Sequence, residues 1–92
     1  MKRISERSIA KVREAVRQHE TVVERYEAIP VEKRSAAQAI SFGRLCADNA
    51  ERVDFLRAIE NAETKSETNE YGRETVYVLV SDEVYAQFEE IA

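Results

Sequence analysis

The chain has 92 residues, a hydrophobic fraction of 43% and a formal net charge of −4. Its length fits one domain over residues 1–92, and its apolar content excludes the apolar-poor composition of a disordered protein. The single cysteine, Cys46, excludes the disulfide framework of a small secreted domain. The first residues lack a signal-like apolar stretch, and no run approaches the roughly 20 apolar residues that span a bilayer. We therefore expect a soluble, cytoplasmic (intracellular) protein without a membrane partner.

Charge is distributed unevenly along the chain. Residues 1–34 hold nine basic and six acidic side chains, residues 35–63 hold three and five, and residues 64–92 hold two and seven. A basic beginning and an acidic end favour contacts with different partners at the two ends. The alternative is chance clustering of charges on a solvated surface.

The first segment has the strongest pattern. From residue 9 to residue 26, six side chains recur at spacings of three and four: Ile9, Val12, Val16, His19, Val23 and Tyr26. This pattern predicts one helix over about residues 5–28, capped by Ser5 and packed side by side with another helix. Pro30 disfavours helical geometry at Ile29 and so ends this helix.

Two more helices are predicted before a polar loop. Helix 2 covers about residues 30–47, and Ser35 begins a capping-box sequence that makes it an alternative start. Asp48 begins a similar sequence, which predicts a break there and a helix 3 over about residues 49–62. A single unbroken helix over residues 31–62 is the alternative.

Residues 74–80 are rich in β-branched and aromatic side chains and predict one short strand. Ser81 then caps a C-terminal helix over residues 82–91. One strand cannot satisfy its own backbone groups, so it pairs either with residues 65–70, across a turn at Tyr71-Gly72, or with a second copy in a homodimer. The expected fold is mostly α with a minor α+β part: a helical hairpin or three-helix layer, then the strand and the C-terminal helix.

The inventory of reactive side chains argues against catalysis. His19 is the only histidine and Cys46 the only cysteine, and neither has the sequence neighbours of a metal site or an activated nucleophile. No glycine-rich phosphate loop or metal-finger spacing occurs. We predict no catalytic residue, no metal site and no cofactor, and a small metal- or cysteine-dependent enzyme ranks last among the hypotheses.

A basic stripe is the first feature that indicates binding. Arg3, Arg7 and Lys11 occupy every fourth position at the predicted start of helix 1. Cations oppose the dipole at a helix N-terminus, so a stripe in this place indicates a use. We interpret it as a contact for nucleic-acid phosphates or for an acidic protein partner.

The tyrosine-rich, acidic end is the second such feature. Tyr71, Tyr77 and Tyr85 lie in the segment with the strongest acidic excess, as do Glu89 and Glu90. Tyrosines are enriched at protein interfaces, so these five residues are the candidate surface for a protein partner. The alternative is that Tyr77 belongs to the core and the acids solvate the surface.

The run from residue 72 to residue 85, G-R-E-T-V-Y-V-L-V-S-D-E-V-Y, resembles Phd/YefM-type antitoxins, in which a V-L-(V/M)-S-x-E-x-Y stretch also joins a strand to a helix. The resemblance covers about a sixth of the chain. It departs from the family at the N-terminus, where two long predicted helices stand in place of a compact strand-and-helix layout. No functional residue is therefore carried over.

The leading hypothesis is a small acidic, non-catalytic protein-binding regulator or inhibitor, of the kind carried by phages and mobile elements, whose partner is another protein. The alternative is a dimeric, antitoxin-like regulator. In that hypothesis the basic N-terminal helix contacts DNA while the acidic C-terminal end binds a protein.

Overall fold

A computed structural model describes residues 1–91 of the chain. The elements in chain order are β1 (Lys2–Ser5), α1 (Glu6–Glu27), a 3₁₀ turn (Val31–Lys33), α2 (Ala36–Ala58), β2 (Thr64–Thr68), β3 (Glu74–Val80) and α3 (Asp82–Ile91). The helices α1 and α2 form a hairpin, and its open end packs against a three-stranded sheet and α3. The predicted class, mostly α with a minor β part, is confirmed.

Side-chain caps define where the two long helices begin. The Ser5 hydroxyl accepts a hydrogen bond from the Ser8 backbone N–H at 3.2 Å, which starts α1 as the sequence predicts. At the start of α2, Ser35 accepts from the Gln38 N–H, and the Gln38 side chain accepts from the Ser35 N–H. This complete capping box places the start at Ser35, the alternative to Pro30.

The break predicted near Asp48 is wrong, because α2 continues through this position to Ala58 as one helix. The half-buried positions that continue across the predicted break include Phe42, Cys46, Asn49, Val53 and Leu56. Their spacings of four and three match one helix lying along another. Packing against α1 therefore outweighs the weak capping tendency of Asp48.

Strand β3 is the centre of the sheet, and its bounds confirm the predicted strand. It pairs antiparallel with β2 and with β1, so that Thr64 and Ile4 flank Val78. The turn before β3 contains Gly72 with a φ of 80°, a left-handed conformation that glycine adopts without strain. The local hairpin across Tyr71-Gly72 is thus confirmed. Since β3 finds both neighbours in its own chain, strand pairing gives no reason for a homodimer.

Strand β1 is absent from the predicted elements. Ile4 is its one buried side chain, at 2% exposure, so four residues leave almost no alternating pattern to detect. Its presence alters the predicted basic stripe, because Arg3 lies in a strand and α1 begins at Glu6. The regular spacing of Arg3 with Arg7 and Lys11 along one helix is therefore wrong.

The core lies at one end of the molecule, which we call the base. It consists of Ile4, Ile9, Val12, Phe55, Ile59, Val78 and Val80. Phe88 and Ile91 of α3 pack against this cluster. Between residues 13 and 54 no side chain is buried. The hairpin therefore extends away from the core, and the molecule measures 60 × 27 × 19 Å. No helix within residues 1–91 has the length and apolarity to cross a membrane.

Candidate protein-docking surface

The Arg3 side chain contacts two other residues of the sheet. Its guanidinium carbon lies 4.5 Å from the centroid of the Tyr77 ring, and its Nη1 lies 2.9 Å from a carboxylate oxygen of Glu67. Hydrogen bonding and charge attraction from Glu67 raise the pKa of Arg3 above its ordinary value. Arg3 thus crosses β3 to join the two outer strands and covers Tyr77.

Arg7 and Lys11 are exposed on the first turns of α1. Farther along α1, Arg17 donates a 2.6 Å hydrogen bond to Glu14, and this bond lowers the pKa of the Glu14 carboxyl. Lys11 lines a cavity of about 350 Å³ between α1, α2 and α3. Of the predicted basic stripe, Arg7 and Lys11 remain on one helix, and Lys11 lies where α3 meets the hairpin.

The predicted tyrosine-rich surface is not assembled in one place. Tyr71 is 83% exposed in the turn between β2 and β3, whereas Tyr77 is buried on the sheet. Tyr85 is half-buried on α3, with the Lys2 ammonium 4.8 Å from its ring centroid. Glu89 and Glu90 are exposed near the end of α3. This arrangement fits the alternative assignment, in which Tyr77 has a structural role. Of the three tyrosines, Tyr71 is the one whose side chain is exposed.

His19 and Cys46 lie along the contact between α1 and α2 rather than at a cleft. Both are half-buried, and the His19 ring stacks at 6.5 Å on the ring of Phe42. In residues 1–91 no group of three or more metal-ligating side chains is brought together. The His19 ring thus contributes to the contact between α1 and α2.

The half of the hairpin remote from the base is the arm, residues 18–50. Near its tip, the rings of Tyr26 and Phe42 are parallel within 6° with centroids 4.1 Å apart. The guanidinium carbon of Arg34 also lies 4.7 Å from the centroid of the Tyr26 ring. The Nε atom of Arg34 donates a hydrogen bond to the Ile29 carbonyl at 3.0 Å. These contacts fix the two helices and their connection to one another without burying any side chain.

An open apolar groove runs along one face of the arm. Its volume is about 380 Å³. The apolar and small side chains that line it are Val22, Tyr26, Ile29, Ala37, Ser41, Phe42 and Leu45. Arg25 is the charged residue of the lining. Leu45 is 43% exposed and Ile40, farther around α2, is 59% exposed. An uncovered apolar groove with neighbouring exposed aliphatic side chains is typical of a docking surface.

The groove lies on the face of the hairpin that α3 covers at the base. On α1, Ala15 lines the cavity beneath α3, and Val22 follows after seven residues; Ile29, just beyond the end of the helix, follows after seven more. On α2, Arg52 lines the same cavity, and Leu45 precedes it by seven. Residues seven apart occupy nearly the same side of a helix. One half of this face is therefore covered by the chain itself, and the other half is open.

The groove residues are missing from the predicted site, although the sequence contains a trace of them. Val22 and Ile29 lie beside the predicted seam of α1, which makes its apolar stripe wider than a two-helix contact requires. Leu45 similarly lies next to Cys46, which belongs to the half-buried positions of α2. Apolar residues flanking a complete seam were the available sign of a second contact surface.

Comparison with known proteins adds no relative: no family model matches the chain, and neither curated proteins nor solved structures include a match.

Two substitutions in α2 separate the arm's internal contact from its open face. We expect Phe42→Ala to lower the free energy of unfolding by at least about 1 kcal/mol, because it removes the aromatic stack with Tyr26. Leu45→Ala should change it by less than about 0.5 kcal/mol, because Leu45 is partly exposed in an open groove. Urea titrations followed by circular dichroism compare the two, and equal losses would contradict the assignment of Leu45 to an open face.

Proposed function

We propose that the chain is a small, non-catalytic, protein-binding regulator or inhibitor that docks through the groove face of its arm. The observation that carries the proposal is an arm of about 33 residues, residues 18–50, without a buried side chain. Its exposed aliphatic groups remain in water unless another protein covers them. Burying apolar surface contributes roughly 25 cal/mol per Å², so a docked partner gains free energy at this face.

The form of the groove supports binding of a macromolecule. It is shallow and bounded by two helices rather than enclosed, and its lining has one charged side chain, Arg25. An apolar groove between two helices can bind the apolar face of an amphipathic helix from a partner. Acid–base chemistry would require several ionisable side chains that converge on one point. The groove lining has one ionisable side chain, Arg25.

The proposed binding surface lies away from the tyrosines and acids that the sequence predicts as the partner-binding site. Tyr77 is covered by Arg3, and Tyr85 is packed between Lys2 and Phe88. Glu89 and Glu90 extend from the end of α3, where this helix meets the beginning of the open face. These two acids can thus contribute to the margin of the surface, while the arm supplies the apolar contact.

Site-specific photo-crosslinking tests this function. A benzophenone amino acid replaces Leu45 in the groove, and in the control it replaces Arg57, an exposed position of α2 outside the arm. In cells that express the protein, irradiation should give one discrete adduct of a second protein with the Leu45 variant. The Arg57 variant should not yield that adduct.

Both variants must retain the helical circular dichroism of the unmodified chain. Adducts of equal yield from both positions, or none from the groove position, contradict an arm that docks a protein.

A dimeric, antitoxin-like regulator is the second candidate. Two observations favour it: β1 leads directly into α1, a strand-to-helix joint that the sequence pattern had not indicated, and Ser81 joins β3 to α3 as the resemblance implies. The Ser81 hydroxyl accepts a hydrogen bond from the Val84 N–H at 3.3 Å. In this candidate Arg7 and Lys11 contact DNA.

This candidate predicts salt-dependent binding to duplex DNA. The double change Arg7→Ala and Lys11→Ala should weaken binding and reduce the slope of log K against log salt by about two, because two phosphate contacts are lost. Arg3→Ala should have a smaller effect, because Arg3 already pairs with Glu67. Fluorescence anisotropy at about 50 mM salt measures both. If the unmodified chain shows no DNA binding under these conditions, the candidate is eliminated.

A further inference from the structure

The base of the molecule shows what kind of element the hairpin face accepts. Helix α3 carries four acidic side chains, at its two ends, and no basic one. Its apolar residues Phe88 and Ile91 pack against the core, and the Phe88 ring lies 5.7 Å from that of Phe55. Hence an acidic amphipathic helix already covers half of this face.

Basic side chains of the hairpin lie beside this intramolecular contact. Lys11 of α1 and Arg52 of α2 line the cavity beneath Phe88 and Ile91. Arg52 also shares a small cavity with Glu90. The covered half of the face thus combines an apolar floor with one cation on each helix, opposite a helix whose charges are negative.

The open half repeats this combination. Val22 and Leu45 provide an apolar floor, and Arg25 lies on the side of α1 that carries Lys11, fourteen residues earlier in the chain. On α2, Arg44 is exposed one turn after Ser41 and so lies at the outer margin of the groove. Arg25 of α1 therefore lies in the groove lining, and α2 places the exposed Arg44 beside it.

The opposing charge on this face lies at its basal end. Asp48 follows Leu45 by one turn and shares a cavity with Glu51, Arg52 and Glu90. It therefore belongs to the boundary where α3 ends, and not to the floor of the open groove. Within the groove lining itself the charged side chain is Arg25, so the charge there is positive.

We infer that the open groove binds an acidic amphipathic helix of a partner protein, laid end to end with α3 on the same face of the hairpin. This inference rests on the proposed function and adds the chemistry of the partner: an apolar stripe flanked by carboxylates. On α2 the groove lining runs from Ala37 to Leu45, about 12 Å at 1.5 Å per residue. Slightly more than two helical turns of the partner would cover it.

Two synthetic helical peptides of about 18 residues are the probes. They share one leucine stripe, and glutamates flank it in one peptide while lysines flank it in the other. Amide chemical shifts of the ¹⁵N-labelled full chain report where each binds. We expect shifts at Val22, Ile29 and Leu45, and binding of the acidic peptide at least about tenfold tighter at 50 mM salt. The preference should shrink at about 0.5 M salt, where charges at the surface are screened.

Variants of the chain test each part of the inference. The double change Arg25→Glu and Arg44→Glu should reverse the preference, so that the lysine-flanked peptide binds more tightly. The matched control Arg57→Glu changes an exposed arginine of α2 outside the arm and should leave the preference intact. Leu45→Arg should abolish binding of both peptides.

Equal binding of both peptides, shifts confined to the sheet or α3, or no binding up to about 1 mM overturns the inference. So does self-association of the chain through the same residues, since a second copy would then be the occupant. The cross-link at position 45 separates this failure from that of the proposed function. A discrete protein adduct there, together with no preference for the acidic peptide, would support the proposed docking function of the arm and contradict the inference that the partner helix is acidic.

Discussion

The position of Phe55 determines the shape of the molecule. Its side chain is fully buried and lies beneath β3 and α3, near the end of α2 rather than at its middle. The corresponding anchor on α1 is Ile9, within the first turns of that helix. Because both long helices are held at the same end, the remainder of the hairpin extends beyond the core. A chain of this length has apolar side chains for one compact core, and that core lies at the base.

The contacts along the arm explain why it is formed but not buried. His19, Cys46 and Asn49 occupy positions where two helices face one another, and all three are polar or small. The Oδ1 atom of Asn49 is buried without a hydrogen-bond partner within residues 1–91, which lowers the stability of the contact there. The Tyr26–Phe42 stack then holds the tip. This combination keeps the two antiparallel helices side by side while leaving their outer apolar faces available to a partner.

The elements with a strong local pattern could be predicted from the sequence. The seam of α1, the β-branched run of β3 and the apolar face of α3 all follow one helical or strand period over several turns or pairs. Strand β1 could not, because Ile4 alone marks it, and its pairing with β3 joins residues more than seventy positions apart. The continuity of α2 depends on packing against α1, which a capping pattern at Asp48 does not reveal.

The candidate site was less accessible from sequence than the fold. Composition grouped Tyr71, Tyr77 and Tyr85, but a turn, a strand and a helix place them on three separate parts of the base. The groove instead combines Val22 with Leu45, which come together only once the register of α1 against α2 is set. Sequence can show that each helix has more apolar surface than one seam requires. It does not show that the two surplus stripes lie on the same side.

Hydrogen exchange along α1 and α2 tests the central claim, that the chain's own core stabilises the base and leaves the arm for a partner. The account predicts that amides of residues 20–27 and 36–46 have protection factors at least about tenfold lower than those of residues 9–12 and 55–58, because local opening of the arm exposes no buried side chain. Uniform protection along both helices would mean that the hairpin unfolds as one unit with the core, and would contradict the account.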